Sequence, residues 1–410
     1  MIIGALISAA AFSGCSTLTG AATTTVASSH ITATSVDGSL ADFYRAPSPL
    51  APGPAGSIIR SMVIPSAGQL PPGAVAYRVL YHSESIGGSD IAVSGMVVVP
   101  GGAPPKTGFP VVTWAHGTTG LAEQCAPSLD GFASIPLLDS LLERHVIVAA
   151  TDYQGLGTPG GHPYLVGQSE AQGVLDAARA ARNLVGGEAS NTVVVLGYSQ
   201  GGQAALFASQ IASSYAPELF VAGAAVAAPV TSLDEFVPSS DTSSVDQTAV
   251  YAVMALDAWS HTYGNVSLSS VLTPTALRSA PDIASECSGA LAATYASIDT
   301  SRLFPPGWDQ SPAVRTDIAD NEPGRYPTAT PLLVVEGEED TLTPYPTVSA
   351  FVETTLCRVE DDTVKYVPIA DTGHSGLMQS AAPVLLRWIS ARVAGEPPSD
   401  SCAQLEGGRW

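Results

Sequence analysis

The sequence predicts an α/β fold in which a mostly parallel sheet carries helices on both faces and a mostly helical segment is inserted between two strands. Short apolar runs rich in β-branched residues alternate with segments whose apolar residues recur at helical spacing. This alternation stops over residues 231–326 and then resumes. The 410-residue chain can bury a large core, and no Pro/Gly/Ser-rich linker divides its middle. One domain with a large insertion is therefore favoured over two equal domains.

The pattern of apolar residues locates the strands and helices of the sheet domain. Pro and Gly punctuate residues 47–73, which predicts an extended segment on the domain surface. Two β-rich runs on either side of Gly87-Gly88 predict a hairpin. The predicted strands are Val75–His82, Ile91–Val99, Phe109–Trp114, Val146–Thr151, Thr192–Leu196, Phe220–Ala227, Pro331–Val335 and Val364–Val367. The predicted helices are Ile135–Arg144, Ser169–Leu184, Gln203–Ser213 and Ala381–Val393.

The inserted segment, residues 231–326, has only helical patches among frequent Ser, Thr and Pro residues. These patches are Val250–Trp259 and a short one at Ser267–Leu272. We expect the segment to form a helical cap or lid, and residues 41–230 and 327–410 to form the sheet domain.

Composition limits the classes of partner. The formal net charge is −21, and the only lysines are Lys106 and Lys365. A chain this acidic repels phosphate backbones, which argues against nucleic-acid binding, whereas the charge suits solubility outside the cell. Apolar residues never form the run of about 18 that a membrane span requires. We expect a monomer.

Residues 1–15 predict export. Their apolar core is too short to span a bilayer and suits a signal peptide. It leads into Phe12-Ser13-Gly14-Cys15, which resembles a bacterial lipobox with Cys15 as the lipidated mature N-terminus. The alternative is an ordinary secretion signal cut near Ala21-Ala22. Residues 16–40, rich in Ser, Thr and Ala, predict a flexible leader. We therefore expect a secreted protein or a bacterial cell-surface lipoprotein, held at the membrane by a lipid on Cys15.

A buried strand, a G-x-S-x-G pentapeptide and a helix follow one another around Gly197-Tyr198-Ser199-Gln200-Gly201. A serine on such a sharp turn has a strained backbone, and the residues two before and two after it must be small to avoid collision. The turn exposes the serine at the carboxyl end of the strand, with a helix N-terminus behind it. The pentapeptide alone is weak evidence, but in this setting it predicts that Ser199 is a nucleophile.

A serine hydroxyl needs a base to remove its proton and a carboxylate to orient that base. In the α/β-hydrolase fold the order along the chain is Ser, acid, His. Of the seven histidines, only His374 follows a late strand and lies beyond a candidate acid. Asp340 is favoured as the acid over Glu338 and Glu339, because the next ordered segment begins immediately after it. Asp371 is too close to His374 in the same loop to orient it well.

Two backbone N–H groups are needed to stabilise the negative charge that develops during attack. Gln200, which follows the nucleophile, is expected to supply one. The other is expected from the loop His116-Gly117-Thr118-Thr119, where Thr118 is favoured over Thr119. His116 is then expected to orient this oxyanion loop and not to act as the base.

Without Cys15, four cysteines remain in an exported chain: Cys125, Cys287, Cys357 and Cys402. Two disulfide bonds are therefore expected, with three pairings possible. No C-x-x-C pair or Cys/His cluster appears, so no structural zinc site, and no other metal or cofactor, is expected.

Over about residues 40–400 the sequence resembles the secretory lipase family of α/β-hydrolases, which includes the fungal lipase A type and bacterial secreted members. The matching segments are Asp42-Phe43-Tyr44 with Pro47, Ile91–Pro100, Trp114–Gly120, Cys125–Ser128, Asp152–Gly157 and Gly197–Gly202. The resemblance implies a lipase or esterase with a helical cap over its acyl pocket. It also implies the pairings Cys125–Cys287 and Cys357–Cys402. Asp152 is interpreted as structural, holding the turn after its strand.

The expected function is hydrolysis of carboxylic esters, with acyl glycerols or other fatty esters as small-molecule substrates and an acyl-enzyme intermediate. Acyl transfer, or cleavage of amides or peptides by the same triad, is the alternative. A non-catalytic binding protein is least favoured, because all three triad positions are filled. If the cap forms the acyl pocket, the candidate lining residues are Tyr251, Met254, Leu256, Trp259 and Leu268; the alternative is that they pack within the cap.

Overall fold

A computed structural model of the chain describes residues 39–236, 248–295 and 298–406. These residues contain a nine-stranded sheet with the order β1-β2-β3-β5-β4-β6-β7-β8-β9. The strands are β1 (Ile58–Ile64), β2 (Val75–Glu84), β3 (Asp90–Val99), β4 (Phe109–Ala115), β5 (Ile147–Thr151), β6 (Ala189–Tyr198), β7 (Phe220–Ala227), β8 (Leu332–Gly337) and β9 (Val364–Ile369). Pairs among β1, β2, β3 and β5 are antiparallel, and the five pairs from β5 through β9 are parallel. The predicted mostly parallel sheet is confirmed.

Helices cover both faces of the sheet, which explains why its central strands are apolar throughout. Val193 and Val195 of β6 pack in the core under two long helices, whereas Val194 and Leu196 pack in the core on the opposite face. The helices are α1 (Leu40–Tyr44), α2 (Leu138–Leu142), α3 (Gly167–Val185), α4 (Gln200–Tyr215), α5 (Leu233–Phe236), α6 (Ala249–Thr262), α7 (Leu268–Val271), α8 (Pro274–Ile283), α9 (Ser288–Tyr295), α10 (Pro312–Asn321), α11 (Tyr345–Ala350, continued by a π-helix over Phe351–Val359), α12 (Leu377–Ser380), α13 (Ala382–Val393) and α14 (Cys402–Glu406).

The connection between β7 and β8 contains helices α5 to α10. The apolar side chains of this insert form a further core, which Leu121 and residues 164–166 of the sheet domain join. Trp259 of α6 is fully buried in that core and donates a hydrogen bond from its indole to the carbonyl of Tyr164 (3.1 Å). Asn321 of α10 accepts from the backbone N–H of Gly167 (3.1 Å) and from the side chain of Gln203 (2.7 Å). The insert is thus docked on the starts of α3 and α4, the helix that follows Ser199.

Two sequence expectations about the sheet domain are corrected. Residues 47–73 are not wholly an extended surface segment, because Ile58–Ile64 pairs with β2 as the edge strand β1. Only Ser61 and Ile64 of that strand are buried, and Arg60 with Ser61 divides its five apolar residues into two short groups. The helix expected at Ile135–Arg144 is shorter, because it starts only after Leu137, whose φ of 59° is left-handed.

Two disulfide bonds are present, Cys125–Cys287 and Cys357–Cys402, and this is the pairing that the family resemblance implied. Within the described part of the chain, no helix has both the length and the apolar character needed to cross a membrane. The expected signal peptide, the lipidation residue Cys15 and the leader up to residue 38 lie outside the described residues.

Candidate active site

Ser199 lies between β6 and α4 with φ 57° and ψ −119°, a strained conformation for a residue with a side chain. The glycines on either side make this turn possible. A Cβ atom added to Gly197 would lie 2.0 Å from the carbonyl oxygen of Gly201, and one added to Gly201 would lie 1.9 Å from that of Ala115. The close packing that the pentapeptide predicted is therefore a property of this turn, and it fixes Ser199 at the carboxyl end of the sheet.

His374 contacts both of its expected partners. Its Nε2 atom lies 3.0 Å from Ser199 Oγ, and its Nδ1 atom lies 2.7 Å from Asp340 Oδ2. The rival acids Glu338 and Glu339 are exposed, and so is Asp371. The structure therefore brings together the three residues that the sequence singled out, in the geometry of a nucleophile, a base and an orienting acid.

Asp340 is held as a carboxylate by donors on both of its oxygens. Oδ1 accepts from the backbone N–H groups of Leu342 (2.8 Å) and Thr343 (3.0 Å), and Oδ2 accepts from the Thr343 hydroxyl (3.1 Å). Burial alone would raise the pKa of Asp340, but the hydrogen bond from His374, its charge and the two N–H groups outweigh burial and lower this pKa. A buried anion is thus available to orient His374.

The loop that carries His374 is anchored to the nucleophile strand. The hydroxyl of Tyr198 donates to the carbonyl of His374 (3.0 Å), and the two rings pack with centroids 5.0 Å apart. A Cβ atom on Gly337 would lie 2.3 Å from the carbonyl of Thr372, so β8 and this loop approach closely only because residue 337 is glycine. These contacts bring the histidine over Ser199.

The two expected oxyanion donors lie on elements that border Ser199. Gln200 is the first residue of α4, and the first N–H groups of a helix have no partner within the helix. On the other side, a Cβ atom on Gly117 would lie 3.5 Å from the Ser199 Cβ, so the loop with Thr118 passes beside the nucleophile. The Thr118 hydroxyl also forms a hydrogen bond with the Tyr164 hydroxyl (2.8 Å).

Residues of the insert form hydrogen bonds with this oxyanion loop. The backbone N–H of Ser288 donates to the carbonyl of Thr119 (2.8 Å), and the Ser288 hydroxyl donates to the carbonyl of Thr118 (3.1 Å). Gly120 forms an isolated β-bridge with Cys287, the residue that the disulfide bond ties to Cys125. Sequence reasoning anticipated the disulfide but gave no signal for the hydrogen bonds from Ser288.

His116 and Asp152 have structural surroundings, as interpreted from the sequence. Burial lowers the pKa of His116 to about 4, so it is neutral at pH 7, and its Nδ1 atom lies 2.7 Å from the carbonyl of Gly117. Asp152 is buried and accepts hydrogen bonds from the Ser94 hydroxyl (2.6 Å) and from both the backbone N–H (2.9 Å) and the hydroxyl of Ser128. Burial raises the pKa of Asp152 to about 6.

The side chain of Gln200, next to Ser199, contacts two buried titratable residues that the sequence did not single out. The side chain of Gln200 donates to Glu170 (2.7 Å), and its amide nitrogen lies 3.0 Å from His162 Nε2. Burial raises the pKa of Glu170 to about 8 and lowers that of His162 to about 3, so both are neutral at pH 7. Glu170 is an ordinary acidic residue in a helical pattern, and only the tertiary packing shows that it anchors Gln200.

A cavity of about 680 Å³ opens at Ser199 and His374, within the usual range for small-molecule sites. Thr118, Tyr251 and the Cys125–Cys287 disulfide border it. Of the five candidate acyl-pocket residues, only Tyr251 lies at this cavity. Met254, Leu256 and Trp259 are buried in the core of the insert, and Leu268 is half-buried against it, which is the alternative role stated for them above. No group of three or more metal-ligating side chains occurs in the described ranges.

The sequence pattern of the secretory lipase family matches residues 132–401. Among curated relatives, a Mycobacterium tuberculosis protein named as a probable inactive lipase is 24% identical over 367 residues, covering 84% of this chain and 80% of the relative. Lipase A of Arthroderma benhamiae is 24% identical over 348 residues, covering 80% and 73%.

Two solved structures resemble the described fold. Candida antarctica lipase A in its closed state matches with a TM-score of 0.73 and 18% identity, over 88% of this chain and 87% of that one. The rice cell wall degrading esterase LipA of Xanthomonas oryzae matches with a TM-score of 0.67 and 23% identity, over 87% and 100%. At these identities the two matches establish the α/β-hydrolase fold.

Proposed function

Because this chain belongs to the secretory lipase family, and because His374 bridges Ser199 and Asp340, we propose that it is a serine hydrolase that cleaves carboxylic esters. Acyl glycerols and other fatty esters are the proposed substrates. The observation that carries the proposal is the pair of contacts made by His374, at 3.0 Å to Ser199 and 2.7 Å to Asp340. The strained turn at Ser199 supports it independently, because strained backbone conformations of this kind cluster at active sites.

In the proposed reaction the Ser199 hydroxyl attacks the ester carbonyl while its proton passes to His374 Nε2. The carbonyl oxygen becomes an oxyanion, which the backbone N–H groups of Gln200 and Thr118 stabilise. His374 then gives its proton to the leaving alcohol, which leaves an acyl-Ser199 enzyme. A water molecule, deprotonated by the same histidine, hydrolyses this ester and restores the serine. Asp340 stays ionised throughout and stabilises the imidazolium.

The insert between β7 and β8 is proposed to act as a cap domain, with residues 231–326 as its extent and residues 41–230 and 327–410 as the catalytic domain. Its Tyr251 and Cys287 border the cavity at Ser199, which supports this role. A cover that excludes water strengthens hydrogen bonds to a developing oxyanion. The cavity, rather than the core of the insert, is the proposed acyl site.

The chain is proposed to be exported, in keeping with the secretory lipase family, and it is proposed to be a monomer. Either Cys15 is lipidated and anchors the protein at a membrane, or the signal is cut near Ala21-Ala22. Mass spectrometry of the mature N-terminus separates the two: a lipid-modified Cys15 supports anchoring, and an unmodified N-terminus beyond residue 15 excludes it.

The proposal is tested with Ser199→Ala. We expect this variant to fold normally, to lose fluorophosphonate labelling and to lose ester turnover by several orders of magnitude, because Ser199 supplies the nucleophile in the proposed reaction. Ser375→Ala, beside the base at the same cavity, is the matched control and should still be labelled. Full labelling of a folded Ser199→Ala protein would contradict the proposal.

A non-catalytic role is the second candidate, because one relative carries the name of a probable inactive lipase. Turnover of 4-nitrophenyl esters from acetate to palmitate separates the two functions. A folded wild-type protein that neither hydrolyses any of these esters nor reacts with fluorophosphonate supports the binding role. Added alcohol or amine acceptors, with product analysis, distinguish hydrolysis from acyl transfer, and amide substrates test the remaining alternative.

A further inference from the structure

We propose that Glu336 is a positioning residue that carries a proton and donates a hydrogen bond to the carboxylate of Asp340. In this arrangement the acid of the proposed triad is one half of a carboxylic acid–carboxylate pair. The inference rests on the proposed function for its catalytic consequence, but the protonation of Glu336 can be tested without any turnover.

The geometry at the end of β8 requires a partner for Glu336. Its side chain is fully buried. One carboxyl oxygen, Oε1, accepts from the backbone N–H of Gly337 (2.9 Å). The other, Oε2, is also buried, and no donor reaches it among the described residues. The side chain in hydrogen-bonding contact with this carboxyl is that of another acid, Asp340. A proton on Glu336 converts this contact from a repulsion into a hydrogen bond and satisfies Oε2.

Two buried carboxyl groups in contact cannot both be ionised at moderate cost. Among the described residues no lysine or arginine forms an ion pair with either acid; His374, on the far side of Asp340, carries a positive charge only when it is protonated. The other titratable groups nearby are Tyr198 of β6 and Tyr366 of β9, which are neutral at pH 7. One proton must therefore be retained by the pair.

The donors decide which acid retains that proton. Asp340 receives four hydrogen bonds, from two backbone N–H groups, the Thr343 hydroxyl and His374, and each favours the charged form. Glu336 receives one, from Gly337. Burial, together with the negative charge of Asp340, raises the pKa of Glu336 to about 10. The charge is consequently on Asp340 and the proton on Glu336.

This distribution matters for the base. A single negative charge behind His374 stabilises the imidazolium formed when Ser199 attacks, and still allows that proton to leave for the alcohol. A second negative charge behind Asp340 would oppose the transfer of that proton from the imidazolium to the alcohol. The hydrogen bond from Glu336 also restrains Asp340, which lies at the start of a loop.

The test compares Glu336→Leu with Glu336→Gln. Glutamine keeps a neutral donor of the same shape, whereas leucine removes the donor. We expect Glu336→Leu to lower kcat about tenfold at unchanged KM, the rate equivalent of one hydrogen bond to a charged group. Glu336→Gln should rescue kcat to within about threefold of wild type. The acid limb of the pH–rate profile, which reports protonation of the base, should stay in place in Glu336→Gln.

Two kinetic results would overturn the inference. If the acid limb moves to lower pH in Glu336→Gln, the glutamate was an anion whose charge the substitution removed. If folded Glu336→Leu turns over as fast as Glu336→Gln, the donor has no positioning role. Circular dichroism and thermal unfolding establish that each variant is folded.

Infrared spectroscopy gives a readout that needs no activity. Wild-type protein at pH 7 should show the carbonyl band of a buried protonated carboxyl group that is absent in Glu336→Gln, and absence of any such difference overturns the inference even if Glu336→Leu fails to fold. Failure of the proposed function is a separate result: the wild type would be inert toward esters and fluorophosphonate, while the infrared band would still report on Glu336.

Discussion

At the scale of single residues, Ser199 has an energetically unfavourable backbone conformation that its surroundings maintain. A strained backbone of this kind costs about 1–3 kcal/mol, and it persists only when the surroundings determine it. Gly197 and Gly201 allow the close backbone contacts of this turn, and the Ser199 N–H donates to the carbonyl of Ala227 (2.9 Å). Glu170 and Glu336 are buried nearby, and burying an ionised carboxylate would also cost free energy. Protonation reduces that cost.

At the residue scale, Tyr251 is expected to influence which acyl chains the cavity accepts. It borders the cavity at Ser199, whereas Met254 on the same helix is buried in the core of the insert. Tyr251→Trp should narrow the cavity and lower turnover of 4-nitrophenyl palmitate at least severalfold relative to acetate. Met254→Leu, which conserves volume, is the matched control and should leave the palmitate-to-acetate ratio near that of wild type.

Kinetics on the two esters measure this ratio. A Tyr251→Trp variant whose ratio equals that of wild type would show that the acyl chain occupies another part of the cavity. An equal change in Met254→Leu would show instead that the whole insert responds to substitution and that the cavity position of Tyr251 is not decisive.

At the scale of elements, the sequence predicted the inner strands of the sheet, because burial on both faces gives them a regular apolar pattern. All residues of β4 and of its neighbour β5 are buried, and so are residues 193–197 of β6, so these apolar runs are unambiguous. The helices of the insert were mostly missed, because they are short and irregular: α8 contains Pro281, and α9 has only two buried residues. Strand β1 was missed because Arg60 and Ser61 interrupt its apolar residues and the segments on either side of it are rich in Pro and Gly.

The candidate active site also contains residues that the sequence predicted and residues that it did not. Ser199, Asp340 and His374 were predictable because each follows a recognisable strand, and the order of the three along the chain is diagnostic. Ser288 and Glu336 were not predictable. Their roles depend on which segments meet across the fold, and no local spacing encodes that contact.

The disulfide Cys125–Cys287 is expected to position the oxyanion loop as well as to stabilise the fold. It ties the insert to the segment after Thr118, and both of its cysteines border the cavity. Replacing both with serine should lower kcat about tenfold or more, since loss of oxyanion donors is costly. The double variant at Cys357 and Cys402, which join the π-helix to α14, is the matched control and should keep kcat within about threefold.

Both double variants should lose stability, but only the Cys125–Cys287 variant should lose kcat, so the effect on stability can be separated from the effect on catalysis. The bridges close segments of 162 and 45 residues, so chain entropy predicts that the first stabilises by about 1 kcal/mol more than the second, within a general range of about 2–5 kcal/mol. Denaturant unfolding measures this difference. A kcat loss of equal size in both variants would attribute the effect to general loosening and remove the positioning role of Cys125–Cys287.

At the scale of the whole molecule, the topology assembles the site from distant parts of the chain. Strands β6, β7, β8 and β9 are parallel neighbours, so the segments after β6, β8 and β9 emerge at one edge of the sheet. Ser199, Asp340 and His374 follow those three strands. The insert leaves the sheet after β7, at the same edge, which is why it reaches the oxyanion loop.

The same compact core buries several groups that must remain neutral, and this gives stability a defined dependence on pH. Burial raises the pKa of Glu170 to about 8 from an ordinary value of 4.5. Between these two values the unfolded chain releases this proton while the folded chain keeps it, so stability falls as pH rises, and the loss is complete above about pH 8. His116 and His162, whose pKa values burial lowers, act in the opposite sense, but only below about pH 6.5.

Glu170→Gln should therefore flatten the alkaline side of the stability profile. Glutamine has the shape of the protonated acid and no proton to release, so the melting temperature should fall less between pH 6.5 and pH 9 than in the wild type, with the two proteins diverging as pH rises. Glu338→Gln removes an exposed carboxylate and is the matched control; its profile should parallel that of the wild type. Calorimetry across this range measures the slopes. A Glu170→Gln slope as steep as that of the wild type would mean that Glu170 is already ionised in the folded protein, and that the Gln200 amide holds an anion behind the nucleophile.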